Sequence, residues 1–224
     1  EEAKHFLKIL LSNDISVLRK NGDGIYSAML NDSGGILDDL IVYKIPSGYR
    51  LVVNCATRKS NLNWISISSS GMEVDILERK DLVMLALQGP HFEKVMKNFL
   101  QSDVIKSLLE KRNFQGIIMD DTLISKTGYT GERGIEIMMP EERGEEVWTL
   151  LINCGVKPIG LAARDTLRLE AGLNLYGFEM DKNTSPLECN MGWTVSLKDP
   201  KRNFIGKRSF LEKKRKGQFP TLHG

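Results

Sequence analysis

Residues 34–43 read Gly-Gly-Ile-Leu-Asp-Asp-Leu-Ile-Val-Tyr, an apolar, partly β-branched run that follows two glycines and carries two adjacent carboxylates. Such a run predicts a β-strand, and similar runs at 25–30 and 49–53, bounded by turn-forming residues, predict neighbouring strands. Asp is depleted in strands and costly to bury, so the acid pair needs a reason to be there. The stretch therefore predicts a sheet with a candidate site inside it.

Helical and strand patterns follow one another irregularly along the rest of the chain. Apolar spacing predicts helices at 3–11, after Thr57, at 95–100, 104–109, 147–152 and 161–171, and strands at 72–77, 82–87, 114–119, 123–126 and 135–139. The strand at 82–87 is expected to be buried. Because strands and long helices do not alternate regularly, the α+β class is favoured over a doubly wound sheet. We expect two mixed sheet-plus-helix units at 1–80 and 81–170, and a return segment with a basic tail at 171–224.

Composition excludes several classes of protein. Of the 224 residues, 41% are apolar and the net charge is +2, which indicates a globular chain without the basic field of a nucleic-acid binder. The longest apolar run, 82–87, is too short to cross a bilayer, so no membrane partner is expected. The basic run 213–216 is interpreted as a solvated helix end or linker. The scattered Cys and His residues fit neither a disulfide framework nor a metal site: Cys55, Cys154, Cys189, His5, His91 and His223.

The acid pair allows two interpretations. Successive strand side chains point to opposite faces, so Asp38 and Asp39 cannot share a direction. One then meets water or a loop amide, and the other meets whatever covers the apolar face. Desolvation would suit such a group to accept or hold a proton. The alternative is a β-bulge or edge strand in which both acids bond to the backbone, and the residues alone leave both open.

A glycine-rich segment, Thr-Gly-Tyr-Thr-Gly-Glu-Arg-Gly-Ile-Glu-Ile at 127–137, is the second candidate. Its glycine spacing fits neither phosphate-binding nor dinucleotide-binding loops, although it would let backbone approach a ligand. Glu136 lies between two isoleucines, so a strand would project it to the opposite face, where it could accept parallel N–H groups of a planar heterocycle. The alternative is an ordinary hairpin with a solvent-facing Glu.

The third candidate is the predicted helix that carries Arg164 and Arg168, four residues apart on one face. Its alternative is surface ion pairing with Asp165 and Glu170, which stabilises little. Downstream, Trp193 follows a glycine and offers an aromatic plane that is either a stacking surface or core.

These segments resemble one family. The blocks at 34–43, 87–90, 128–136, 163–172, 174–177, 180–181 and 191–194 are similar, in order, to the aminomethyltransferases (T-proteins) of the glycine cleavage system. The resemblance implies the folate-binding aminomethyltransferase fold. It also implies transfer of the one-carbon unit from the aminomethyl-lipoyl arm of H-protein to tetrahydrofolate, releasing ammonia and giving methylenetetrahydrofolate. Tetrahydrofolate is then a co-substrate, and no metal is required.

The resemblance also assigns roles to single residues. It implies that Asp39 lies near the reactive folate nitrogens as electrostatic stabiliser or general base, that Glu136 holds the pterin edge, and that Arg164 helps to bind folate. Asp38 is interpreted as positioning the strand. The aromatic residues that match pocket-lining positions are Tyr129, Trp193, Tyr26 and Tyr43.

T-proteins are longer than this chain, so the resemblance implies a central portion without the N-terminal segment and the C-terminal β-barrel. The expected partners are lipoylated H-protein and folate, in the cytoplasm of a bacterium or the mitochondrial matrix of a eukaryote. Two alternatives share the scaffold. One is a folate-dependent demethylase; the other is a non-catalytic folate-binding relative, which would carry a Cys-containing motif at the glycine-rich turn, whereas this turn has none.

Overall fold

A computed structural model describes residues 1–222 of the chain, so His223 lies outside the described residues. Contacts divide the chain into two compact units. The first comprises 1–19, 24–76 and the segment from Asn174 onward; the second comprises 20–23 and 77–173. The expected division at 1–80, 81–170 and 171–224 stays a prediction.

The first unit contains a three-stranded antiparallel sheet, with β1 (Gly24–Leu30), β2 (Ile36–Ile45) and β3 (Gly48–Val53) in that order. Helices α1 (Glu2–Leu10) and α2 (Arg58–Ser68) cover one face. Their shared core includes Leu10, Met29, Leu40, Val42 and Ile65. The apolar and β-branched runs of the sequence thus form the predicted strands, and β2 is central.

The second unit contains a four-stranded antiparallel sheet in the order β4-β7-β6-β5. Its strands are β4 (Leu82–Gln88), β5 (Gly116–Met119), β6 (Thr122–Ser125) and β7 (Gly134–Pro140), and its helices are α3 (Phe92–Met96), α4 (Ser102–Leu109), α5 (Glu141–Asn153) and α6 (Leu161–Glu170). One core packs Phe92, Leu108, Ile135, Ile137 and Leu151 together. Sheets and helices in both units confirm the predicted α+β class.

The segment from Asn174 onward returns to the first unit and covers the second face of its sheet. Ala28, Leu30 and Ile36 pack there against Cys189 and Phe204. The segment ends in α7 (Lys207–Lys216), whose last turn carries the basic run. The guanidinium of Arg202 fixes the return by donating to five backbone carbonyls, those of Lys8, Leu11, Ser12, Asn13 and Ser196.

Three sequence predictions are wrong in detail. Residues 72–77 form no strand, because Met72 and Val74 pack against the core without pairing to another strand. The strand expected to be buried, β4, leaves Met84 47% exposed. The helix predicted over 95–100 is α3, which ends at Met96. For 72–77, the apolar periodicity reports side-chain burial and not backbone pairing. No helix within residues 1–222 has the length and apolarity needed to cross a membrane.

Candidate functional site

The acid pair lies on the central strand of the first sheet, beside a β-bulge. Met29 pairs with Asp38 and Leu30 pairs with Ile36, so Leu37 has no partner on β1. The bulge places Asp38 on the same face as Leu40, toward α2, and Asp39 on the opposite face. The predicted opposite directions and the bulge are both present, whereas the edge position considered from the sequence is wrong.

Asp38 is fully buried and accepts hydrogen bonds from three side chains. Asn54 Nδ2 donates at 2.9 Å, Thr57 Oγ1 donates at 2.8 Å, and Asn61 Nδ2 donates as well. The backbone N–H of Asn54 adds a fourth bond at 3.3 Å. Thr57 occupies the predicted cap position of α2, but its hydroxyl bonds to Asp38 and makes no capping bond. Neutral donors therefore satisfy this buried carboxylate.

Asp39 is half-buried and accepts two hydrogen bonds, from the Tyr26 hydroxyl at 2.6 Å and from Asn54 Nδ2 at 2.9 Å. Burial raises the pKa of Asp39 above its ordinary value. The Tyr26 bond opposes this shift in pKa, the charge of Asp38 adds to it, and the Asn54 bond opposes it. A carboxyl group in this setting is a stronger base than one in water.

An aromatic pair lies next to Asp39. The rings of Tyr26 and Trp193 stack with centroids 5.4 Å apart and an interplanar angle of 19°. Trp193 is 62% exposed, so its indole offers a free face and the interpretation as core is wrong. Tyr43, on the same strand as Asp39, is completely buried, and its predicted pocket-lining role stays a prediction.

Glu136 lies on β7, an inner strand of the second sheet, and projects away from the buried Ile135 and Ile137. It is half-buried, so the interpretation as a solvent-facing residue is wrong. Thr127 Oγ1 donates to Glu136 Oε2 at 2.5 Å. Burial raises the pKa of Glu136, while the Thr127 bond and the charge of Arg164 partly oppose that shift. The other carboxylate oxygen can accept further hydrogen bonds.

The two arginines of α6 have different surroundings. Arg168 is 2% exposed, and its guanidinium donates to Asp165 at 2.8 Å and to the carbonyl of Leu173 at 3.2 Å. Arg164 is exposed, and its guanidinium carbon lies 4.5 Å from the centroid of the Tyr129 ring. Arg168 thus forms the expected ion pair with Asp165, but from a buried position and not on the surface. Arg164 instead forms a cation–π pair with Tyr129.

Packing around Gln88 explains why glycines occur in the glycine-rich turn. Gln88 Nε2 donates to the carbonyls of Thr127 and Ile135 at 3.1 Å each. A Cβ at Gly128 would lie 1.8 Å from Gln88 Oε1, and one at Gly134 would lie 2.4 Å from the carbonyl oxygen of Leu87. These glycines make room for Gln88 and for a close backbone approach, without any need for a ligand.

Sequence reasoning missed three side chains of the first unit that donate hydrogen bonds to Asp38. They are those of Asn54, Thr57 and Asn61. Asn54 directly follows β3, which was the available signal. Asn61 carried no signal, since a helical Asn usually faces solvent. Within residues 1–222, no three metal-ligating side chains come together.

Comparisons with known proteins agree with this architecture. The family model of the GCVT N-terminal domain matches residues 1–199. The chain is 49% identical over 218 residues to an aminomethyltransferase of Alcanivorax borkumensis, a match that covers 96% of this chain and 59% of that protein. The crystal structure of glycine cleavage system aminomethyltransferase T from Bartonella henselae superposes with a TM-score of 0.84 at 35% identity, again over 96% and 59%. The chain thus spans about three fifths of the length of these relatives.

Proposed function

We propose that this chain, which belongs to the GCVT N-terminal domain family, carries the folate site of an aminomethyltransferase of glycine cleavage. In the proposed reaction, the aminomethyl carbon on the lipoyl sulfur of H-protein loses its nitrogen as ammonia and its sulfur as the dihydrolipoyl thiol. Two new carbon–nitrogen bonds join that carbon to tetrahydrofolate, which becomes methylenetetrahydrofolate. A soluble, lipoylated H-protein is the proposed partner, in a bacterial cytoplasm or a mitochondrial matrix.

The observation that carries the proposal is the surroundings of Asp39. Its half-buried carboxylate has no salt-bridge partner among the described residues and lies beside the stacked Tyr26 and Trp193. A flat heterocycle requires an aromatic surface, and a transfer that moves protons requires a base held near the reacting atoms. We assign Asp39 as the general base or electrostatic stabiliser, the catalytic residue of the proposed reaction.

Binding residues are also proposed within the second unit. The pterin edge presents N–H donors, which a desolvated carboxylate such as Glu136 accepts more strongly than an exposed one would. Arg164 over Tyr129 offers a cation and an aromatic face to the remainder of the folate. Tyr43, on the strand of Asp39 in the first unit, is the remaining proposed pocket-lining aromatic residue.

Titration of the chain with tetrahydrofolate tests the proposal. We expect saturable binding that Glu136→Gln weakens by about 10-fold to 100-fold, since a charge-assisted hydrogen bond contributes about 1.5–3 kcal/mol. Asp39→Asn should leave that binding within about threefold. Absence of tetrahydrofolate binding by the folded chain would contradict the assignment.

Activity is measured with aminomethylated H-protein and tetrahydrofolate. Asp39→Asn is expected to lower ammonia release by about 100-fold or more, the usual contribution of a positioned acid–base group. Turnover that needs lipoylated H-protein distinguishes this reaction from a folate-dependent demethylase. Near-normal turnover by the Asn variant would remove Asp39 from the mechanism.

A further inference from the structure

A single amide group links the two carboxylates of β2. Asn54 Nδ2 lies 2.9 Å from Oδ1 of Asp38 and 2.9 Å from Oδ1 of Asp39. The two oxygens are therefore within about 6 Å of each other, although the side chains leave opposite faces of the strand. At this separation, and with one carboxylate fully buried, charge on either group acts strongly on the other.

Asp38 is held in place from α2. Thr57 Oγ1 and Asn61 Nδ2 both donate to Oδ2 of Asp38, and Asn61 Nδ2 also lies 3.1 Å from Thr57 Oγ1. Asn61 is as deeply buried as Asp38. Neither Lys nor Arg among the described residues forms a salt bridge with Asp38.

Other titratable groups near the pair come from β1 and from the segment after Asn174. The Tyr26 hydroxyl bonds to Asp39, the Tyr176 hydroxyl feels the charge of Asp38, and the Cys189 thiol feels the charge of Asp39. Burial raises the pKa of Cys189 to about 11 and raises the pKa of Tyr176, so both stay neutral near pH 7. Asp38 is then the charged neighbour of Asp39.

From this geometry we propose that Asp38 is a positioning residue that acts through Asp39: Thr57 and Asn61 fix its buried carboxylate beside the Asp39 carboxyl, where it governs the proton on that group. The consequence for catalysis rests on the proposed function, because it makes Asp39 a stronger base for the transfer. The effect on the proton itself is a property of the folded chain and needs no folate.

Carboxyl-carbon NMR titration of the isotope-labelled chain tests the proposal, with the Asp39 signal assigned through its loss in Asp39→Asn. In Asp38→Asn, the titration midpoint of Asp39 should fall by roughly one pH unit, because one nearby negative charge is removed. A purely structural role of Asp38 would leave that midpoint unchanged. An unchanged or raised midpoint in the folded variant overturns the proposal.

A second pair of variants keeps the test decisive if Asp38→Asn does not fold. Asp38→Ser removes the same charge with a smaller polar side chain and should lower the Asp39 midpoint by a similar amount. Asp38→Glu keeps the charge and should leave the midpoint close to that of the unmodified chain. Equal midpoints in the Ser and Glu variants would overturn the proposal, whereas failed tetrahydrofolate binding would count against the proposed function alone.

Discussion

The hydroxyl of Tyr26 donates a hydrogen bond of 2.6 Å to the carboxylate of Asp39 across two neighbouring strands. This bond favours the charged form of Asp39 and opposes the effect of burial on its pKa. Tyr26→Phe keeps the ring that stacks on Trp193 and removes only the donor. We therefore expect the Asp39 midpoint to rise by about one pH unit, the equivalent of about 1.4 kcal/mol. Trp193→Leu, which keeps the hydroxyl, is the matched control. A midpoint that does not rise in Tyr26→Phe contradicts the role of the bond.

Asp39 is expected to lower the stability of the first unit at neutral pH. The folded-state pKa of Asp39 is raised above its ordinary value of 3.8, so the native state holds the proton more tightly than the unfolded chain. Stability from this group is present at low pH and is lost as pH rises through the folded-state value. Relative to the unmodified chain, Asp39→Asn should therefore gain stability between about pH 4 and pH 8. Chemical denaturation at both pH values measures the difference. A gain that does not depend on pH would show that packing, and not the charge, is responsible.

Arg164 and Tyr129 should be energetically coupled. Their cation–π contact at 4.5 Å is exposed, a setting in which such pairs contribute about 0.5–1 kcal/mol. A double-mutant cycle with Arg164→Ala and Tyr129→Leu, read by chemical denaturation, should return a coupling energy in that range. The same cycle read by tetrahydrofolate affinity should show both single variants weakened. Fully additive effects in both measurements would show that the contact is incidental.

The glycines around Gln88 should respond differently to alanine. At Gly128 the added Cβ meets only the Gln88 side chain, whereas at Gly134 it also meets a backbone carbonyl oxygen at 2.4 Å. Both Gly128→Ala and Gly134→Ala should lose about 1–3 kcal/mol of stability through overpacking. Adding Gln88→Ala should restore the first variant and not the second. Thermal denaturation measures these changes in stability. Equal rescue of Gly128→Ala and Gly134→Ala by Gln88→Ala would contradict the packing explanation.

Arg202 is expected to be the most sensitive basic residue of the first unit. Its guanidinium donates to five carbonyls, and a lysine ammonium has only three donors. Arg202→Lys should therefore cost about 3 kcal/mol or more, because buried carbonyls lose their partners. The control is Arg208→Lys, since that side chain is 92% exposed and pairs with Glu212. A change near zero at both positions would refute the assigned role.

Local pattern was enough to predict the sheet that holds the acid pair. The β-branched runs gave β1, β2 and β3, and alternation correctly separated the directions of Asp38 and Asp39. The residues around 72–77 show the limit of the same reasoning. Alternating burial arises wherever an extended segment lies on a core, and only hydrogen bonds to a neighbour make it a strand.

The partners of the acids could not be read from the sequence. Asn61 reaches Asp38 across 23 positions of chain, and Thr57 has the appearance of an ordinary helix cap until its hydroxyl is located. Such contacts depend on how α2 packs on β2, which no local window contains. Strand alternation was enough to predict that Glu136 points away from its two isoleucine neighbours. Its donor Thr127 was not predictable, because that contact depends on the path of the glycine-rich turn.

Leu37, which has no partner on β1, sets the face of the sheet to which Asp38 and Asp39 each point. Were the ladder regular from Ile36 onward, Asp38 would emerge on the side of Ala28 and Tyr26, and Asp39 would turn inward to α2. A slip of one position is enough to exchange the proposed catalytic carboxyl group for the one held by α2. The one extra residue in β2 therefore determines the face to which each of these two aspartates points. Sequence changes at the bulge would alter the chemistry without replacing either carboxylate.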